Sequence, residues 1–268
     1  MSKLLHHRDG NVLTLTINRP EARNAIDPEL LCLMADAFEA ASRDTELRAV
    51  IVTGAGDKAF CAGADLGRLL PLLARQRPPE DDFDHRVAED PEVFNRALLR
   101  GFDIGVPVIA AVNGHAIAGG MELCQGTDLR VASENARFGV QEVKWGIFPA
   151  GGSTVRLPAQ LSMARAMELL LTGDPIDAKT AFDWGFVNRV VPPAQVMPVA
   201  RDLAQRIARN GPLAVRAVRH AARSLLGTPE EEALAQELRY AAPVLASEDA
   251  REGPLSFLEK RPPVFRGR

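Results

Sequence analysis

An α/β fold, with helices interleaved among strands of a largely parallel sheet, is what this 268-residue sequence predicts. Three observations carry that expectation. Residues 49–53 and 107–112 are short continuous apolar runs of the kind found in strands covered on both faces. Between such runs lie segments with helical spacing, and glycine clusters stand where strands hand over to helices. A composition of 46% hydrophobic and 25% charged residues is that of a globular chain able to bury a proper core.

Taken in order, Leu13, Leu15 and Ile17 alternate with Thr14 and Thr16, the period of two of a half-buried strand, and Asn18-Arg19-Pro20 ends it. Asp27 stands as a helix N-cap with Pro28 at the first helical position, and Leu30, Leu33, Met34, Ala37 and Ala41 recur at helical spacing. The strand at 49–53 leads into Gly54-Ala55-Gly56, and a second strand occupies 107–112. Residues 67–95 hold four prolines and seven acidic against four basic side chains with weak periodicity, which fits either a mobile lid or a surface excursion. Residues 128–132 read as a strand and 138–152 as a glycine-rich loop. Helices are expected at 161–172 and at 177–184, the latter closed by Gly185. The rest is mostly helical, including 212–226, where Pro212 opens the helix, Gly227 follows it, and Leu213, Ala217, Ala221 and Leu225 share a face.

Thirty-two basic against thirty-five acidic side chains, a net charge of -3, give no overall positive field to attract nucleic acid. Six arginines between Arg201 and Arg223 form a basic stripe, read as a solvated helix face because an acidic segment, 230–252, follows it. Cys32, Cys61 and Cys124 are scattered without a C-x-x-C pair or a histidine cluster, so neither disulfides nor a metal site is expected, and a reducing compartment fits best. The longest apolar region, 106–121, is broken by Asn113 and His115, so no membrane segment is expected. The first eight residues are not followed by an apolar stretch of signal-peptide length, and a cytoplasmic location is the expectation.

Three segments could carry chemistry, because glycine at a strand-to-helix turn leaves backbone N–H groups free to face a ligand. They are Phe60-Cys61-Ala62-Gly63-Ala64-Asp65, Asn113-Gly114-His115-Ala116-Ile117-Ala118-Gly119-Gly120-Met121-Glu122, and Phe138-Gly139-Val140-Gln141-Glu142 running on to Gly151-Gly152. Singly, each could do no more than permit tight strand–helix packing. In this order, together with Asn18-Arg19-Pro20, Thr172-Gly173, Gly185-Phe186-Val187 and Phe257-Leu258-Glu259-Lys260-Arg261, the chain resembles the crotonase family, the enoyl-CoA hydratase/isomerase superfamily.

The resemblance implies a spiral of ββα units over residues 1–195 and a helical C-terminal region, 196–268, that builds trimers, often paired as hexamers. It also implies an acyl-CoA thioester substrate, with no metal or redox cofactor required. The backbone amides of Ala62 and Gly119 would bind the thioester oxygen, and two fixed amides beside a helix N-terminus suit the negative charge that develops there. Glu122 and Glu142 match two family glutamates: Glu142 would exchange a proton at the α carbon, and Glu122 would orient and activate the water that attacks the β carbon. Ala22, Arg23 and Ala25 match a CoA-binding stretch. Ala62, Gly63, Ala64 and Asp65 would line the thioester end, and Phe257 and Lys260 would approach CoA from the same or a neighbouring subunit. His115, in an apolar stretch, reads as a satisfied core residue, as do Cys61 and Cys124.

Two departures stand out. The loop Pro149-Ala150-Gly151-Gly152-Ser153-Thr154 replaces a form closer to Pro-Gly-x-Gly-Gly-Thr, and Trp145 stands where a small aliphatic residue is common. The activity implied is reversible hydration of trans-2-enoyl-CoA to 3-hydroxyacyl-CoA, in fatty-acid or related acyl-CoA metabolism. Double-bond isomerisation, which can run on one glutamate, is the alternative within enzymes. A non-catalytic CoA- or RNA-binding scaffold is the alternative from another class.

Overall fold

The computed structural model describes residues 2–268. The chain opens with the strands β1 (Leu4–Asp9) and β2 (Val12–Ile17), then helix α1 (Pro28–Arg43), β3 (Ala49–Gly54) and β4 (Ala59–Cys61). Three short helices follow, α2 (Leu69–Leu73), α3 (Asp82–Glu89) and α4 (Glu92–Ala97). Next come β5 (Val108–Val112), β6 (His115–Ile117), α5 (Gly119–Gly126), β7 (Leu129–Ser133) and β8 (Arg137–Gly139). After them lie α6 (Ser153–Gln160), α7 (Met163–Thr172), β9 (Ile176–Asp177), α8 (Ala178–Asp183) and β10 (Arg189–Val191). Four helices close the chain: α9 (Val196–Ala208), α10 (Pro212–Ser224), α11 (Glu230–Leu245) and α12 (Glu248–Leu258).

The strands sort into a six-stranded sheet, ordered β1-β2-β3-β5-β7-β10, and a four-stranded sheet, ordered β4-β6-β8-β9. Each turn of the chain gives one strand to the large sheet and the next to the small one before a helical segment: β3 then β4, β5 then β6, β7 then β8. This is the ββα spiral expected from the sequence. The large sheet is parallel from β2 to β10, with β1 added antiparallel.

Both faces of the large sheet are covered. On one side Leu15, Ile17, Val50 and Val52 pack into the main core with Leu30, Leu31, Met34 and Phe38 of α1. Asp27 caps that helix as expected, its Oδ1 accepting from the Leu30 N–H at 2.9 Å, with Pro28 next. On the other side α9 lays Val196, Ala200 and Ala204 against Ile51, Ile109 and Val131. Two expectations change as a result. β2 is an interior strand covered on both faces, so Thr14 is buried with its apolar neighbours. The expected division before residue 196 cuts through a packed core, and the helices outside it are α10–α12.

The second half of the arginine stripe is paired with the body of the fold rather than left as a free solvated face. Arg219 pairs with Asp128 at 2.8 Å and with Asp103, Arg223 pairs with Asp128 at 2.7 Å, and Arg216 donates to the Leu47 carbonyl at 3.1 Å. These contacts tie α10 to the body. Among the described residues no helix is long and apolar enough to cross a membrane.

Candidate active site

Three adjacent parallel strands of the small sheet, β4, β6 and β8, each end beside one cavity of about 590 Å³. Ala62-Gly63-Ala64 follows β4, Ala118-Gly119 follows β6, and Gln141-Glu142 follows β8 shortly after. Gly63 has φ +90°, which other residues rarely adopt, and a Cβ there would lie 2.8 Å from the Ala118 Cβ and 3.0 Å from the Gly119 nitrogen. Only glycine lets the two turns meet. Ala118 has φ +53°, a local strain of about 1–3 kcal/mol, and leaves the Gly119 N–H as the first free amide of α5.

The Ala62 amide, expected to face a ligand, instead donates to the Arg23 carbonyl at 3.1 Å. Its place is taken two residues on. Ile26 pairs in parallel with Ala64, the Ile26 N–H bonding the Gly63 oxygen and the Asp65 N–H bonding the Ile26 oxygen, each at 2.8 Å. That register turns the Ala64 N–H to the opposite side. Among the described residues neither the Ala64 nor the Gly119 amide has a hydrogen-bond partner, and a Cβ on Gly119 would sit 3.7 Å from the Ala64 nitrogen. Two open amides beside a helix start can hold an oxygen as it gains negative charge.

Two carboxyls reach the same cavity. Glu122, in the first turn of α5, is buried, and its Oε1 accepts from the Ser153 N–H at 3.2 Å and the Ser153 hydroxyl at 3.1 Å. A Cβ on Gly151 would stand 2.3 Å from Glu122 Oε2, so the carboxyl and a bare backbone are fitted together. Burial raises the proton affinity of Glu122, and the Ser153 and Gly151 donors offset part of the rise. Glu142 opens a 3-10 turn, Glu142–Trp145, and its buried Oε2 finds no partner among the described residues. Burial, and then the charge of Glu122, push Glu142 up to about 7. Near neutral pH the cavity therefore holds one carboxyl supported by hydrogen bonds and one that is partly protonated, a pairing that general acid–base chemistry uses.

The remaining wall is apolar. Leu69, Leu70 and Leu73 of α2, Phe94 of α4, and Ile147, Phe148 and the 69% exposed Trp145 from the segment beyond Glu142 line it. Residues 67–95 thus fold into three helices, of which α2 and Phe94 of α4 line the cavity while α3 stands outside it. Arg77 pins them, bonding the fully buried Asp84 through both guanidinium nitrogens.

Arg23 and His115 also line the cavity. His115 is exposed there rather than buried in the core, and burial of its ring, then Arg137 and Arg23, lower its proton affinity. Arg23 also borders an adjoining depression of about 230 Å³ with Lys58 and Asp57. Of the other expected binding residues, Ala22, Ala25, Gly63 and Asp65 do not line the cavity. Asp65 instead caps the turn into α2, accepting from the Gly67 and Arg68 N–H groups and from Arg19. Phe257 and Lys260 are exposed and outside the cavity of their own chain. Cys61 and Cys124 are fully buried, as expected.

The sequence profile described as enoyl-CoA hydratase/isomerase matches residues 7–268. The chain is 44% identical over 264 residues to a protein of Mycobacterium tuberculosis named enoyl-CoA hydratase EchA19, covering 98% of this chain and 96% of that one. It is 42% identical over 273 residues to a carnitinyl-CoA dehydratase of Salmonella typhi, covering all of both. The structure of an enoyl-CoA hydratase from Bacillus anthracis superimposes with a TM-score of 0.89 at 33% identity, again over the full length of both chains.

Proposed function

This chain belongs to the enoyl-CoA hydratase/isomerase family, and from that premise we propose that it adds water reversibly to trans-2-enoyl-CoA thioesters. One observation carries the reading: two open amides, Ala64 and Gly119, and two carboxyls of unlike environment, Glu122 and Glu142, meet in a single cavity with apolar walls. The thioester oxygen sits between the two amides. Glu122 takes a proton from a water molecule as its oxygen attacks the β carbon, and the electron pair moves onto the thioester oxygen. The enolate then collapses, taking a proton from Glu142 at the α carbon. The product is a 3-hydroxyacyl-CoA, and exchange with solvent returns each carboxyl to its starting state. The amide pair serves the step where charge builds up, and losing one such donor typically costs about 3 kcal/mol in the barrier.

Arg23 and Lys58, at the mouth and in the adjoining depression, supply positive charge for the phosphates of CoA. The leucine and aromatic walls suit a hydrocarbon acyl chain. Dehydration of a 3-hydroxyacyl-CoA is the same chemistry run backwards, and the similarity to a carnitinyl-CoA dehydratase makes that direction worth assaying. The exposed apolar residues Val218, Leu238, Leu245, Phe257 and Leu258 on and beside α10–α12 support assembly into homotrimers or pairs of trimers. Phe257 and Lys260 would then serve a neighbouring subunit.

Incubation with crotonyl-CoA and longer 2-enoyl-CoAs, following the conjugated-thioester absorbance, tests the reaction. Absorbance falls with the native protein, and Glu122→Gln and Glu142→Gln each slow the loss by about 10²–10⁴-fold. If Glu122→Gln retained full hydration, the water-activating role of Glu122 would be wrong.

A further inference from the structure

We propose that Ser153, oriented by Gln125, is a positioning residue for Glu122, its hydroxyl aiming and supporting the carboxyl that activates water. The inference rests on the hydration reading above. Ser153 is fully buried at the first position of α6 and gives Glu122 Oε1 two donors, its N–H at 3.2 Å and its hydroxyl at 3.1 Å. A hydroxyl has one proton but can also accept. Gln125 Nε2 donates to Ser153 Oγ at 3.0 Å, which occupies the accepting side and leaves the proton for Glu122. Gln125 lies three residues after Glu122 on the same face of α5, so one helix carries both ends of the relay.

Two further observations separate this arrangement from ordinary packing. The buried Gln125 Oε1 has no partner among the described residues, so the amide is held in the interior with only its nitrogen satisfied, through Ser153. The loop that carries Ser153 is also where this sequence departs from Pro-Gly-x-Gly-Gly-Thr: Ser153 occupies the position of the last glycine, which has no hydroxyl.

Ser153→Ala keeps the N–H and removes the hydroxyl. A hydrogen bond to a charged group holds the ionised form, so without it Glu122 binds its proton more tightly and the acid limb of kcat/KM for crotonyl-CoA hydration moves to higher pH by about one unit. On the alkaline side of that limb the rate recovers to within about threefold of native, because Glu122 is ionised there in both proteins. Gln125→Met gives a smaller displacement in the same direction. A carbon-13 glutamate NMR titration, with Glu122→Gln identifying the resonance, reads the same displacement without turnover. An unmoved acid limb and an unmoved Glu122 titration in Ser153→Ala would overturn the proposal, whatever happens to its melting temperature. Ser153→Gly serves in the same two measurements should the alanine variant not fold. If the native protein hydrates no enoyl-CoA, the hydration reading fails, while the NMR titration still decides whether Ser153 governs Glu122.

Discussion

Burial, and then the charge of Glu122 across the cavity, raise the proton affinity of Glu142, whose buried Oε2 has no partner among the described residues, whereas Glu122 Oε1 accepts from both the N–H and the hydroxyl of Ser153. A glutamate that titrates near 4.5 in the unfolded chain and at about 7 in the fold makes the folded state the stronger proton binder between those values. Stability therefore falls as pH rises through that window, and the loss is complete above it. Glu142→Gln removes the effect. At pH 8 the variant is expected to be more stable than the native protein by about 3 kcal/mol, roughly 8 °C in Tm, while below pH 4 the two melt alike. Calorimetry at the two pH values checks both halves.

Gly151→Ala tests the fit between loop and carboxyl. The new methyl would lie 2.3 Å from Glu122 Oε2, so the carboxyl must move. A displacement of about 1 Å in a catalytic group costs on the order of 10²-fold in rate. The expected result is a kcat loss of that size for crotonyl-CoA with CoA binding retained. Native kcat in the variant would show that the carboxyl tolerates the shift.

Leu70→Trp reduces the cavity, which Leu70 lines together with the other apolar side chains of its wall. Hydration of crotonyl-CoA should change little, while kcat/KM for 2-decenoyl-CoA falls more than about tenfold, since each methylene denied burial forfeits about 0.8 kcal/mol. Steady-state assays across chain lengths separate this from a general loss, which would lower all substrates equally.

Asp84→Asn unfastens the α2–α4 wall. Asp84 is fully buried against Arg77, and loss of one partner of a buried pair destabilises by about 3–5 kcal/mol. The Arg77 guanidinium is the leading cause holding Asp84 below its ordinary range, so the pair's contribution is present above the unfolded value and fades as pH falls through the lower folded value. Hydrogen exchange at neutral pH should quicken in residues 67–95 first. Uniform quickening over the whole chain would argue that the wall is not a separate unit.

Much of this arrangement was legible in the residues. Turn glycines and the spacing of Glu122 and Glu142 are local signals, and the cap at Asp27 needs only its own first turn. Ala62 and Ala64 show where local reading ends. They sit two apart in an extended run, and the amide that stays open is decided by pairing with Ile26, a strand-like contact from a distant turn. His115 misleads for a related reason: its neighbours are apolar because β6 is buried, yet its own side chain leaves the sheet at the cavity edge. The α10 arginines look like a solvated stripe until Asp103 and Asp128 arrive from about a hundred residues earlier. Weak periodicity at 67–95 reflects helices too short to repeat a face more than once or twice.

The alternation of strands between two sheets also divides responsibilities. Ala64, His115, Gly119, Glu122 and Glu142 all lie on or just after strands of the small sheet, while the large sheet, clamped between α1 and α9, supplies none of them. A saturation scan of the chain should therefore separate into two populations. Lesions in the large sheet would erode heat resistance while the surviving molecules keep native turnover. Lesions in the loops after β4, β6 and β8 would yield sturdy, inert protein, so that the chemistry could be rewritten on this scaffold without first rebuilding it.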